Sequence, residues 1–133
     1  YFKKMITAAK YFDYVITSRF AKPGLIKDWP LLRKFITYSR HALVKIFLDI
    51  SYDASGAYRC FYRNKIKLKD ICAAKNNDYA FFWEITYIIK KRGYKIHEIP
   101  VQLIYRKLGK SKMKIKHIFY SLFYLFKIFI FKK

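Results

Sequence analysis

The chemistry-bearing groups of this chain are arginines and lysines set beside small hydroxyl residues and glycine. They recur at Ser18-Arg19, from Arg33 to Thr37, from Ser55-Gly56 to Arg59, and from Arg106 to Lys112. Guanidinium forks, ammonium groups and short hydroxyls are the groups that hold phosphate oxygens. Other chemistries lack their residues. The 8 acids, Asp13, Asp28, Asp49, Asp53, Asp70, Asp78, Glu84 and Glu98, form no D-x-D, so paired-carboxylate hydrolysis has little support. No P-loop, G-x-G-x-x-G or nucleophile elbow occurs. Cys60 and Cys72 stand apart, and His41, His97 and His117 are scattered. Structural zinc needs about four such ligands, so two free thiols and no metal cluster are expected.

These groups need elements to bring them together. The composition is 54% hydrophobic, enough for one modest core in 133 residues. Residues 2–11 read as a short helix. Asp13 to Ser18 is a short apolar, β-branched run that fits a buried strand. Lys22-Pro-Gly24 opens a loop that runs to Trp29-Pro30. From Leu31 to Leu48, Leu32, Phe35, Ile36, Leu43, Ile46 and Phe47 return at helical spacing. Ala57 to Tyr62 suits a short strand and Lys67 to Lys75 a helix. Tyr79 to Arg92 is a helix stopped by Gly93, where a left-handed cap is usual. Tyr94 to Tyr105 is a strand whose apolar phase slips from Tyr94 and Ile96 to Ile99, Val101, Leu103 and Tyr105. That slip beside Pro100 predicts a bulge or an edge position. Alternating strands and helices make the chain α/β.

The last residues differ in kind. Ile118 to Phe131 would span about 21 Å as a helix, short of a roughly 30 Å hydrocarbon core. Lys116, Lys127, Tyr120, Tyr124 and His117 fall on one side; Phe119, Leu122, Phe126, Phe129 and Ile130 fall on the other. The pattern fits a helix lying in a membrane interface, or one packed on the protein's own core.

Lys and Arg number 29 against 8 acids, a net charge of +21. Such a field attracts anions: phosphorylated ligands, nucleic acid or an anionic lipid surface. A biased genome would also inflate Lys without a function, so the arginine positions carry more of the case than the total. Lys65 and Lys90 are read as solvated surface charges.

The order and spacing of these motifs resemble the dolichyl-phosphate mannose synthase group of family 2 (GT-A fold) glycosyltransferases, from about Asp13 to Lys116. Asp13-Tyr-Val-Ile-Thr-Ser-Arg19 is similar to the family's D-V-V-I-G-S-R strand end. Trp29-Pro-Leu-Leu-Arg-Lys-Phe-Ile-Thr37 is similar to its W-P-x-x-R-K-x-I-S helix start. Asp53-Ala-Ser-Gly-Ala-Tyr-Arg59 parallels D-x-T-G-x-F-R, and Tyr79 to Glu84 parallels G-Y-x-F-x-x-E. Tyr94 to Pro100 matches a strand ending E-V-P, and Arg106 to Lys112 keeps R-x-x-G-x-S-K.

The resemblance implies the C-terminal portion of a GT-A (Rossmann-like) domain, residues 1–113, followed by an amphipathic, membrane-interfacial helix at 114–133. It implies an inverting enzyme moving a hexose, mannose or glucose, from a nucleotide-sugar (GDP-mannose or UDP-glucose) to a polyprenyl or dolichyl phosphate. It places that enzyme on the cytoplasmic face of a membrane, against an anionic membrane surface, with no nucleic acid as partner. Arg19, Arg33 and Thr37 would hold the acceptor phosphate, with Thr37 where the family usually has Ser. Arg106, Gly109, Ser111 and Lys112 would form a loop over the donor and acceptor phosphates. Asp53, Ser55, Gly56 and Arg59 would shape the turn beneath, a structural part being as expected for Ser55 and Arg59. Glu84 would orient an arginine or the acceptor, and Glu98 would be a structural partner. Tyr105 stands where the family commonly has Asp. The family's nucleotide-binding half, with its D-x-D for Mg or Mn, has no counterpart in the chain, so these residues are expected to be inactive alone. The rival class is a small basic binder of nucleic acid or anionic membrane, supported by the charge and 21% aromatics. A binder needs a basic face; the transferase needs Arg19, Arg33, Arg106 and Lys112 to converge.

Overall fold

A computed structural model describes residues 1–27, 29–103 and 115–131. The elements run α1 (Phe2–Ala9), β1 (Tyr14–Ser18), α2 (Leu31–Leu48), β2 (Arg59–Cys60), α3 (Leu68–Ile71), α4 (Phe81–Lys91), β3 (Ile96–Pro100) and α5 (Ile115–Ile130). They form a mixed α/β structure around a sheet of order β2-β1-β3. β1 is central and buried along its whole length, as its apolar, β-branched sequence requires when both faces are covered. It runs antiparallel to β2, with Val15 opposite Cys60. It runs parallel to β3, with Tyr14 opposite Ile96 and Ser18 opposite Pro100.

Alternation along β1 divides the core. Val15 meets Met5 and Ala9 of α1, with Ile99 of β3. Tyr14 and Ile16 meet Ile66 and Ile85 and Ile89 of α4. Each fully buried Ile contributes on the order of 1.5–3 kcal/mol. This layering explains the phase slip seen in the sequence. Both faces of β3 are covered, so Ile96 serves one layer and Ile99 the other. No bulge is needed. The ladder stays in register through Pro100, and Val101 N donates to Ser18 O at 2.9 Å. The edge position holds, and there Pro100 costs no ladder bond.

A third cluster joins Val44 and Leu48 of α2, Ile50, Ala54, Ala80, Trp83 and Leu125 of α5. Phe47 packs its ring 4.9 Å from Phe126 and 5.0 Å from Phe129. α2 occupies the range its periodicity predicts and ends at Asp49, in the left-handed region at φ 54°. Gly93, at φ 81°, follows α4 as expected.

Two expectations change. The helix read over Lys67–Lys75 is one turn, Leu68–Ile71. The amides of Lys75 and Asn76 donate to Glu84 instead, at 3.0 and 2.9 Å, which draws that segment out of the helix. Lys65 is not a freely solvated charge either. Its ammonium donates to Ala9 O at 2.9 Å and Lys10 O at 2.6 Å, satisfying carbonyls at the end of α1. Lys90 pairs with the exposed Asp49 at 2.8 Å.

Candidate functional site: an arginine cluster at the end of the central strand

In an α/β sheet, ligands gather beyond the carboxyl ends of the parallel strands. β1 ends at Ser18, whose hydroxyl accepts the amides of Phe20 and Ala21 at 3.1 and 3.0 Å. That turn fixes Arg19. The Arg19 amide and Nε donate to Asp53 Oδ2 at 2.9 and 2.8 Å, and its Nη2 donates to Asp53 Oδ1 at 2.8 Å. Nη2 also reaches the Ser55 hydroxyl. Both Arg19 and Asp53 are buried. Burial alone would raise the Asp53 pKa; hydrogen bonds and charge from Arg19, with the Ser55 hydroxyl, outweigh it and hold the carboxyl at about 2.

Trp29 links this cluster to α2. Its ring lies 5.7 Å from the Arg19 guanidinium and 4.3 Å from that of Arg33. Both arginines therefore contact one indole, whose face favours guanidinium planes. Arg33 is exposed, while Thr37 is buried. Arg33, Thr37 and Arg40 follow at i, i+4 and i+7, one face of α2. Trp29 Nε1 donates to Leu103 O at 2.8 Å, so the chain leaves β3 over the same ring. Phe20 stacks on His41 at 4.0 Å, binding the loop after β1 to α2.

The turn below is held from two sides. Asp53 N donates to Glu98 Oε1 on β3 at 2.6 Å, so Glu98 is a structural partner there. Gly56 lies so close to β1 that a Cβ would come 2.9 Å from Thr17 O. Arg59 donates to Gly56 O at 3.0 Å, Ala54 O at 2.8 Å, Phe82 O at 2.6 Å and the Tyr14 hydroxyl at 2.8 Å. These four bonds go to carbonyls and a hydroxyl of the fold, a stapling part. Burial raises the Tyr14 pKa against the opposing charge of Arg59.

Arg19, Arg33, Thr37, Asp53, Ser55, Gly56 and Arg59 thus share one end of the sheet or the turn beneath it. Glu84 does not join the arginines. Its oxygens take the Lys75 and Asn76 amides and the Tyr124 hydroxyl at 2.9 Å, on a groove of about 1130 Å³ between α4 and α5. Burial, with Glu84 adding, raises the Tyr124 pKa. Arg106, Gly109, Ser111 and Lys112 lie outside the described residues. Among the described residues, no three His, Cys, Asp or Glu side chains gather as a metal site.

Sequence reasoning missed Arg40. Its Nη2 donates to Ser55 Oγ at 2.7 Å, and its helical register with Arg33 and Thr37 was the available signal.

The chain has relatives among known proteins. It is 29% identical over 111 residues to an undecaprenyl-phosphate mannosyltransferase of Micrococcus luteus, covering 83% of this chain and 46% of that protein. It is 26% identical over 112 residues to a polyprenol monophosphomannose synthase of Mycolicibacterium smegmatis, covering 84% and 42%. It is 30% identical over 131 residues to a dolichol-phosphate mannosyltransferase of Pyrococcus furiosus, covering 94% and 35%. No family model and no solved structure matches it. These relatives and the motif order support a family 2 glycosyltransferase, of which the chain covers a part. The chain spans less than half the length of each relative named.

Proposed function

We propose that this chain is the acceptor-side part, residues 1–113, of a GT-A glycosyltransferase that moves a hexose from a nucleotide-sugar to a polyprenyl phosphate. The observation that carries the reading is the pair Arg19 and Arg33, 5.7 and 4.3 Å from the Trp29 ring, at the carboxyl end of β1. The relatives' names supply the acceptor class and point to mannose. A phosphate monoester is anionic near neutral pH, so its oxygen attacks the anomeric carbon without a strong protein base. The bond from that carbon to the nucleoside diphosphate breaks, with inversion. Cations then matter by bringing two phosphate-bearing reactants together against their repulsion. Arg19, Arg33 and Thr37 would hold the acceptor. Arg106, Gly109, Ser111 and Lys112 would close on it, in a segment that departs from Leu103, whose carbonyl Trp29 holds. The residues described here do not fit a divalent cation; the Mg or Mn expected of the whole enzyme would take its ligands elsewhere. α5 would rest on the cytoplasmic membrane surface.

A basic binder is less well supported. Arg19 is buried on Asp53, and Arg40 and Arg59 are half-buried in the fold, whereas a binder would turn its arginines outward. The test is Arg33→Ala in the complete enzyme. Loss of a charge-assisted contact to phosphate should cut kcat/KM roughly ten- to a hundredfold. Lys69→Ala, an exposed charge on α3, should leave it near wild type. Equal losses in both variants would show that the general field, and no clamp, is at work.

A further inference from the structure

The floor of the arginine cluster carries two carboxylates. Asp53 takes Arg19, and Glu98 Oε1 accepts the Asp53 amide at 2.6 Å. With Arg19 as the only cation, that floor would be net negative and would repel a phosphate. The charge that corrects it is Arg40. Its Nη2 reaches Ser55 Oγ at 2.7 Å, and the same oxygen receives Arg19 Nη2 while donating to Asp53 Oδ1 at 2.9 Å. The hydroxyl is then fully used: one donor and two acceptor positions. Two guanidiniums meeting at one oxygen repel each other and lose water, an arrangement tolerated where anions offset it.

We infer that Arg40 is a positioning residue of the acceptor site: through Ser55 it fixes the Arg19 guanidinium, and its charge makes the site's floor receptive to a phosphate monoester. The other N–H groups of Arg40 meet no acceptor among the described residues. Burial, and then the charge of Arg19, brings its pKa down to about 10, with Asp53 opposing, so it stays cationic at neutral pH. His41, beside it, is held below its ordinary pKa first by burial and adds no charge there. Arg59 turns to the Tyr14 hydroxyl and Phe82 O.

This inference rests on the acceptor-phosphate reading, and the experiment separates the two. The probe is geranylgeranyl phosphate in detergent micelles, with the uncharged geranylgeraniol as control, titrated calorimetrically into the full chain. Arg40→Met keeps length and removes charge; it should weaken phosphate binding roughly tenfold or more and leave the alcohol's binding unchanged. Arg40→Lys restores the charge without the fork and should recover most of the affinity. Wild-type phosphate affinity in Arg40→Met, with Arg33→Ala impaired, overturns the role of Arg40 and spares the site. Equal weakening by Lys and Met, matched by equal loss of thermal stability, makes Arg40 structural and also overturns it. No preference for phosphate over alcohol in the wild type, with Arg33→Ala unchanged, overturns the acceptor reading itself.

Discussion

Asp53 is 1% exposed, and burial should raise its pKa, yet it is held at about 2 by Arg19 and Ser55. The pair therefore contributes to stability as well as to the site. The folded pKa lies below the ordinary 3.8, so the contribution is fully present above that value. It is lost as pH falls through about 2. The amount is on the order of 2 kcal/mol. Asp53→Asn removes that contribution and leaves a buried guanidinium unpaired, at a cost of about 3–5 kcal/mol near neutral pH. Urea unfolding from pH 6 to pH 2 checks this: the gap between wild type and variant should narrow as the wild-type carboxyl protonates. A gap that stays constant with pH would mean that the carboxylate's charge is not what Arg19 requires. Ser55, Asp53 and Arg19 also show what a sequence does not carry. Each residue type was legible, but that one hydroxyl joins two arginines depends on a contact across 36 positions, from Arg19 to Ser55.

At the scale of elements, α5 presents two characters at once. Leu125 is buried against Val44, Leu48 and Trp83, and Trp83 Nε1 donates to Ser121 Oγ at 3.2 Å. Phe119, Phe123 and Ile130 are about 70% exposed, at 68%, 70% and 69%. No described helix is long and apolar enough to cross a membrane. Lys116, Tyr120, Tyr124, Lys127 and His117 line the groove toward α4, the side on which the helical wheel placed them. The Leu125 face is packed on the protein's own core, as one of the two readings of the tail has it. Under the membrane reading, Phe119→Ser with Phe123→Ser should cut recovery on phosphatidylglycerol-containing vesicles severalfold by flotation, with thermal stability unchanged. Leu125→Ala should instead lower stability by about 2–5 kcal/mol. If the double serine variant floats like wild type, the outward face is not a membrane contact. Elements with local causes were legible: α2 from its periodicity, the end of α4 from Gly93, β1 from its β-branched run. Of the two outcomes expected at Pro100 the edge position holds and the bulge does not, and the length of α3 was misread, both for non-local reasons. One followed from two covered faces; the other followed from Glu84 capturing the amides of residues 75 and 76.

Across the whole molecule, the charge and the coverage of relatives point to a division of labour. Under the proposed reading, a net +21 would draw phosphate-bearing molecules and anionic lipid to the surface, and the cluster around Trp29 would hold one phosphate. Among the described residues there is no metal-binding group, and the family resemblance assigns the nucleotide-binding strands to a half without counterpart here. The 133 residues should therefore bind a polyprenyl phosphate without transferring sugar to it. Calorimetry with geranylgeranyl phosphate and a radiolabelled GDP-mannose or UDP-glucose transfer assay, run on one preparation, separate the two activities. Binding that weakens as salt rises, with no labelled lipid formed, is the expected pair of results; screening should act mainly on long-range attraction, since the Debye length falls from about 30 Å at 0.01 M to about 10 Å at 0.1 M salt. Labelled lipid formed by the purified chain would mean that the donor is held by residues named here for other parts. Arg40, Ser55 and the groove between α4 and α5 would then be the first places to look for it.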